Sequence, residues 1–417
     1  MTYRRYYPGL ILDDHEFTTP TKMIKKKEDM KRWEASPAYK DIFEFICNVN
    51  NYIRGKTNSM GSENASECVD KIYSMLDTLD EWIDEIPPVK DKRFSTEAYR
   101  DWHARLQREA VLLIADMLPH YLFRALLEIE KYFVNAFGNS NRIYYGTEHE
   151  LTFIMFLLAL FKIGYLDIDD LVPAACKIFV RYLHLVRKLQ VTYNMETAGC
   201  RGFWRLDDYQ FVPFIWGSSQ FIKNDSWDPT CFLKQKIVDE YAYDYMFLSC
   251  VQYINIVKSG QFIQHSYQLW SISAVSSWTN INEGLLKMYK DEVLSRFPLV
   301  QHIYFGSLFT LDPLPNRVIP RRKTSFYELN QLPSNMNYCD PDSSDFSASI
   351  EMSSAESGPS SIDPTTSETY KEIEEFDFTL RLPSDANITK TNSKISSDLK
   401  SNKRDDKNVD IESSIKD

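Results

Sequence analysis

Apolar residues recur along this chain with the 3.6-residue period of helices, and no stretch keeps the two-residue alternation of a half-buried strand. Ser36-Pro37 is an N-cap and first-turn pair; it opens a stripe of Ile42, Phe43, Ile46, Val49 and Ile53 that Gly55 ends. Val69, Ile72, Tyr73, Leu76, Leu79, Trp82, Ile83 and Ile86 form a second stripe, stopped by Pro87-Pro88. A third helix is predicted from Ser95 or Thr96 to about Leu118. After Pro119 another carries Leu122, Leu126, Ile129, Tyr132, Phe133 and Phe137. The run Leu151 to Phe161 is the most apolar, but a membrane helix needs about 20 such residues. It predicts a buried core helix. Further helices are predicted from Asp167 to about Gln190, over 235–258 and over 282–296, with Lys22 to Lys31 as a basic helix start on a solvated face. The fold class is therefore all-α.

Three stretches break this pattern. Residues 138–150 read GNSNRIYYGTEHE; Arg142 beside glycine-backed amides at a helix start suits an anion. The same residues also fit a capped turn, with Thr147 as N-cap and Glu150 at N3 of a capping box. Residues 199–220, GCRGFWRLDDYQFVPFIWGSSQ, hold three of the chain's 13 glycines, two tryptophans and adjacent carboxylates. They read either as a cleft lining or as a buried irregular connection. Asp207 also fits the start of a turn. Residues 261–281 are short, polar and aromatic again.

Beyond about Leu314 the chain becomes rich in serine, acid and proline, with no apolar period. This divides it into an N-terminal arm (1–20), a helical body (21–314) and a tail (315–417) expected to be disordered. Arg321-Arg322-Lys323 and Lys403-Arg404 are weak nuclear-import signals against a background of ordinary tail charge.

Net charge is -11 and pI about 5.3, which argues against wrapping a nucleic-acid backbone. Seven cysteines are scattered without a CxxC pair, as expected of reduced thiols in the cytoplasm or nucleus. The N-terminus MTYRRYYPGLILDD lacks the apolar core of a signal peptide. Three familiar motifs fail. Gly55-Lys56-Thr57 lacks the glycine five positions earlier, where Asn50 stands. His149-Glu150 lacks the second zinc histidine, since Phe153 occupies its place. No nucleophile triad is evident.

The blocks GNSNRIYYGTEHELTF, GFWRLDDYQFVPFIWGSSQ and HSYQLWSISAVSSWTNINEGLLKMYKDEVLSRFPLVQHIYFGSL resemble the phosphotyrosyl phosphatase activator family, over residues 15 to 310 approximately. The resemblance implies an all-α fold with core, linker and lid subdomains. It also implies peptidyl-prolyl cis-trans isomerase activity, ATP and Mg2+ dependence, and action on the catalytic subunit of protein phosphatase 2A or a relative. By position, Arg142, Thr147, Glu148, Gln301, His302 and Ile303 fall where the family contacts ATP. Gly202 and Asp208 fall at its magnesium positions. Where the family commonly reads RxDYGTGHE, this chain has Tyr144 for the Asp and Glu148 for the Gly. An acid beside a triphosphate repels it, so nucleotide binding is expected to be weak or completed by the phosphatase.

Prolyl isomerisation breaks no covalent bond; its barrier of about 18–20 kcal/mol is amide resonance. A catalyst must hold the twisted amide better than either planar form. Trp204, Tyr209 and Trp216 are the expected ring-binding surface, and Asp207, Asp208 and Gln220 the expected backbone-orienting groups. The alternative is an assembly chaperone that grips the phosphatase without catalysing.

Overall fold

The computed structural model describes residues 15–88, 92–197, 206–224 and 227–312, with the backbone alone for 92–96. All lie within one compact unit, 1–319; a second unit, 320–417, falls outside the described residues, as does the arm before His15. The body is all-α. Its longer helices are α1 (Pro37–Tyr52), α2 (Glu67–Glu85), α3 (Lys92–Met117), α4 (Leu126–Val134), α5 (Thr147–Lys162), α6 (Val180–Thr192), α7 (Val212–Phe221), α8 (Gln235–Tyr241), α9 (Met246–Val257) and α10 (Trp278–Tyr289). Two two-residue ladders complete it. β1 (Thr21–Lys22) runs antiparallel to β4 (Tyr304–Phe305), and β2 (Tyr144–Tyr145) runs parallel to β3 (Glu196–Thr197). Among the described residues no helix is long and apolar enough to cross a membrane.

Where caps and stripes were clear, the helices form as expected. Ser36 caps α1 by accepting from the Tyr39 N–H, and Ser66 caps α2 by accepting from Val69. α5 is buried along its whole length. Even Lys162 at its end is satisfied, by Asp41 and by the Leu308 carbonyl at 2.8 Å.

Four expectations need correction. The stretch 206–221 is not irregular throughout: its second half is α7, all ten residues buried. Pro213 sits in the first turn, where a missing N–H costs nothing. The helix expected over 235–258 is two, α8 and α9, separated by residues 242–245. The last long helix begins earlier, at Trp278 with Ser277 as its cap, and runs into a wide π turn over Lys290–Leu294. Finally, Lys22 is not in a helix but in β1; a 3-10 turn at Lys27–Asp29 and an α-helix at Met30–Glu34 follow.

α7 packs against α9, α10 and α1. Its contact with α9 is close enough to require glycine. A Cβ on Gly217 would lie 2.3 Å from the Phe247 backbone nitrogen. Glu128 on α4 ties the first and last described segments of the body together: its buried carboxylate accepts N–H bonds from Thr18, Ser307 and Leu308 at 2.9 to 3.0 Å. That clasp holds β1 against β4, which places Lys22 opposite Tyr304.

Gly217→Ala must push α7 from α9 and is expected to cost about 1–3 kcal/mol. Gly284→Ala on α10 adds a methyl into open space and is expected to be neutral or stabilising by about 0.5–1 kcal/mol. Thermal unfolding of the two variants checks the contrast.

Candidate functional site

Two polar regions stand out, one at the start of α5 and one in the loop before α7. The first is built by a tight turn. Asn139 accepts the N–H groups of Asn141 and Arg142 at 3.0 Å each, and Ile143 takes a positive φ of 52°. β2 then leads into α5. The cap differs from the expected box. Gly146 is the N-cap, Thr147 is the first helical residue, and the N–H of Gly146 donates to His149 Nδ1 at 3.2 Å. His149 thus does what Glu150 was expected to do, because Glu150 is turned inward to other amides.

Around this helix start, arginine, lysine and histidine side chains converge. Arg142 is exposed; His302 is partly buried, and burial, then Lys22 and Arg142, lower its pKa. Burial foremost, then His302, pushes the His149 imidazole down to about 3, so it is neutral. Lys22 and Lys131 flank the Tyr304 ring, 5.0 and 5.3 Å from its centre. Neither lysine stands out in the sequence, where Lys22 reads as part of a solvated helix face. The only signal is Tyr304 within the last resemblance block; the ladder across some 280 positions supplies the rest. Of the other expected nucleotide contacts, Thr147 and Glu148 are buried in the first turn of α5 and Ile303 is buried in the core. Gln301 is partly exposed and donates to the Pro298 carbonyl. Glu148 faces Tyr144, which it hydrogen-bonds, and lies 3.9 Å from His149. Burial, then Glu148, pushes the Tyr144 hydroxyl up to about 12.

The second region is the loop 206–211. Asp207 Oδ1 accepts the N–H groups of Tyr209 and Gln210 at 2.8 and 2.9 Å, a turn of the kind its sequence allowed. Tyr209 is partly buried and donates its hydroxyl to the Met195 carbonyl. Asp208 pairs with Lys258 at 2.5 Å. Lys258 also lines a cleft of about 300 Å³ with Phe232, Leu233, Asn255, Phe262 and His265.

Two expected cleft residues are core instead. Trp216 is 0% exposed, donates its indole N–H to the Ile46 carbonyl and packs edge-on against Phe179. Gln220 is also buried; its amide donates to Asn58 and accepts from the Met246 N–H. Neither can face a peptide, because both sit on the buried helix α7. The accessible apolar side chains of the cleft beside Asp208 are Leu233 and Phe262, since Phe232 behind them is buried. Trp204 and Gly202 lie outside the described residues.

Residues 20–311 match the family described as "Phosphotyrosyl phosphate activator (PTPA) protein". This chain belongs to the PTPA family. It is 44% identical over 295 residues to a serine/threonine-protein phosphatase 2A activator of Drosophila melanogaster, covering 70% of this chain and 74% of that one. It is 40% identical over 303 residues to a probable serine/threonine-protein phosphatase 2A activator 1 of Dictyostelium discoideum, covering 72% and 93%. The crystal structure of the PP2A phosphatase activator Ypa1 PTPA1 superimposes with a TM-score of 0.67 at 30% identity, over 75% of this chain and 99% of that one.

In this PTPA chain the two regions meet at Glu150. Its Oε2 accepts the N–H groups of Phe211 and Val212 at 2.9 and 3.0 Å, at the mouth of α7. Burial pushes its carboxyl up to about 8, against the pull of those two amides. Burial raises the Asp207 carboxyl too. Among the described residues no three His, Cys, Asp or Glu side chains form a metal-binding group.

A carboxyl with a folded pKa near 8 and an ordinary value near 4.5 keeps a proton that the unfolded chain releases. Its contribution to stability is full below about pH 4.5 and is lost as pH rises to about 8. Glu150→Gln cannot ionise and keeps an acceptor oxygen. Its stability relative to wild type is expected to improve steadily from pH 5 to pH 8 in urea melts.

Proposed function

We propose that this chain activates the catalytic subunit of a type 2A phosphatase by isomerising a prolyl bond, with ATP bound as an anion at the start of α5. The observation that carries the reading is the cleft beside Asp208, on a family scaffold whose relatives are named phosphatase 2A activators. A proline ring would lie against Leu233 and Phe262. An apolar wall disfavours the more polar planar amide, and the Lys258 ammonium, held by Asp208, is a donor at the rim. No covalent intermediate is required. The buried cysteines 176, 231 and 250 are free thiols, in keeping with a cytoplasmic and nuclear protein.

Arg142, Lys22 and Lys131 fit a polyphosphate, with His302, its pKa lowered, as a neutral hydrogen-bonding neighbour. ATP would supply negative charge to this positive pole. Glu148 opposes it, consistent with weak binding by the isolated chain. Magnesium at Asp208 does not fit this arrangement, because Lys258 already neutralises that carboxylate. No step is derived through it.

A second reading, an assembly chaperone, is favoured by the burial of Trp216 and Gln220, which leaves fewer groups to catalyse. Reactivation of purified phosphatase 2A catalytic subunit, with and without ATP, tests the proposal. Wild-type chain should reactivate it, and failure to do so refutes both readings. Arg142→Ala with Lys22→Ala should raise the ATP concentration needed by roughly tenfold. Asp208→Ala should abolish peptide isomerisation and reactivation together. Reactivation that survives the loss of isomerisation would establish the chaperone instead.

A further inference from the structure

The anion region and the cleft loop belong to different elements, yet one side chain joins them. Asp207 holds the N–H groups of Tyr209 and Gln210, and Glu150 holds those of Phe211 and Val212. Four consecutive amides are thus held by two carboxyl groups. Glu150 stands in the first turn of α5, two residues after Glu148 and one after His149. Glu150 therefore links that turn by hydrogen bonds to the loop that carries Asp208.

The surroundings are not a saturated structural knot. Glu150 Oε1 is buried and has no hydrogen-bond partner, and the same holds for Arg187 Nε, Gln190 Nε2 and Tyr289 Oη. Unspent donors and acceptors let the surrounding groups re-pair while Glu150 keeps its two amides. The groups facing Glu150 are Arg187 and Tyr182 from α6, Tyr145 from β2, Tyr289 from α10, Cys250 from α9 and Asp207 from the loop. Arg187 spends its charge on Ser249, Cys250 and the face of Tyr253.

We propose that Glu150 is a positioning residue that couples anion binding at the start of α5 to the loop bearing Asp208, so that occupancy of either site changes the affinity of the other. This rests on the two-site reading above. Coupling of this kind is reciprocal.

The test uses the full chain, ATP, and a chromogenic Ala-Ala-Pro-Phe peptide. The ATP dissociation constant is measured by calorimetry with and without saturating peptide. Wild type should show a change of about fivefold or more. Glu150→Ala should bring the ratio to within twofold of one while each ligand alone still binds. Glu150→Gln keeps the acceptor and should keep coupling, but without its pH dependence. In the wild type, coupling should strengthen as pH rises through about 8, since an ionised carboxylate holds amides more tightly. The Glu150→Gln profile stands even if Glu150→Ala fails to fold. Binding of both ligands by wild type without coupling overturns this proposal alone. Wild-type coupling in Glu150→Ala, or a wild-type pH profile in Glu150→Gln, also overturns it. Failure of wild type to bind either ligand overturns the two-site reading and this proposal with it.

Discussion

The burial of α7 is the constraint on which the rest of the body depends. Ten residues with no solvent-facing side leave nowhere for polar groups to hide. Each side chain is therefore answered from a distant part of the chain. Trp216 bonds to Ile46 on α1, Ser219 to the Asn50 carbonyl, and Gln220 to Asn58 and Met246. The first turn of a buried helix has orphan N–H groups that water cannot reach. Glu150 meets two of the amides at its mouth from the neighbouring helix α5. Removing a buried carboxylate that serves two amides costs more than removing a surface ion pair such as Lys71–Glu67.

This arrangement separates support from action. Below the loop lie Trp216, Gln220 and Glu150, which set position. At its rim lies Asp208, partly exposed and paired with Lys258 beside the cleft. On the other side of Glu150, the start of α5 faces Arg142, His302, Lys22 and Lys131. The relatives' names concern phosphatase activation, and a buried floor under a polar rim gives the proposed isomerase a fixed support.

How much of this was legible in the sequence depends on where each signal resides. α1 and α2 were legible because one face is polar, so their stripes and serine caps appear in order along the chain. α7 was not, because a helix that is apolar all round shows no period. Its glycine, proline and tryptophan then imitated a cleft lining. Glu150 looked like a capping-box acid, since nothing local shows that α7 will lie across from it. Lys22 and Lys131 meet only through the β1–β4 ladder, which local pattern cannot foresee. The family resemblance pointed to the two polar regions as stretches of chain, but which side chains face inward is a property of packing.

Amide hydrogen exchange of the full-length chain tests the central claim most directly, that α7 and the two amides held by Glu150 are a fixed floor beneath the partly exposed Asp208 rim. The account predicts that the amides of Phe211 and Val212 and those of α7 exchange only through global unfolding, with protection matching the stability from denaturant melts. Those of the Asp208 rim should exchange faster. Exchange of Phe211 and Val212 by a low-energy local opening, at rates like those of the rim, would contradict it.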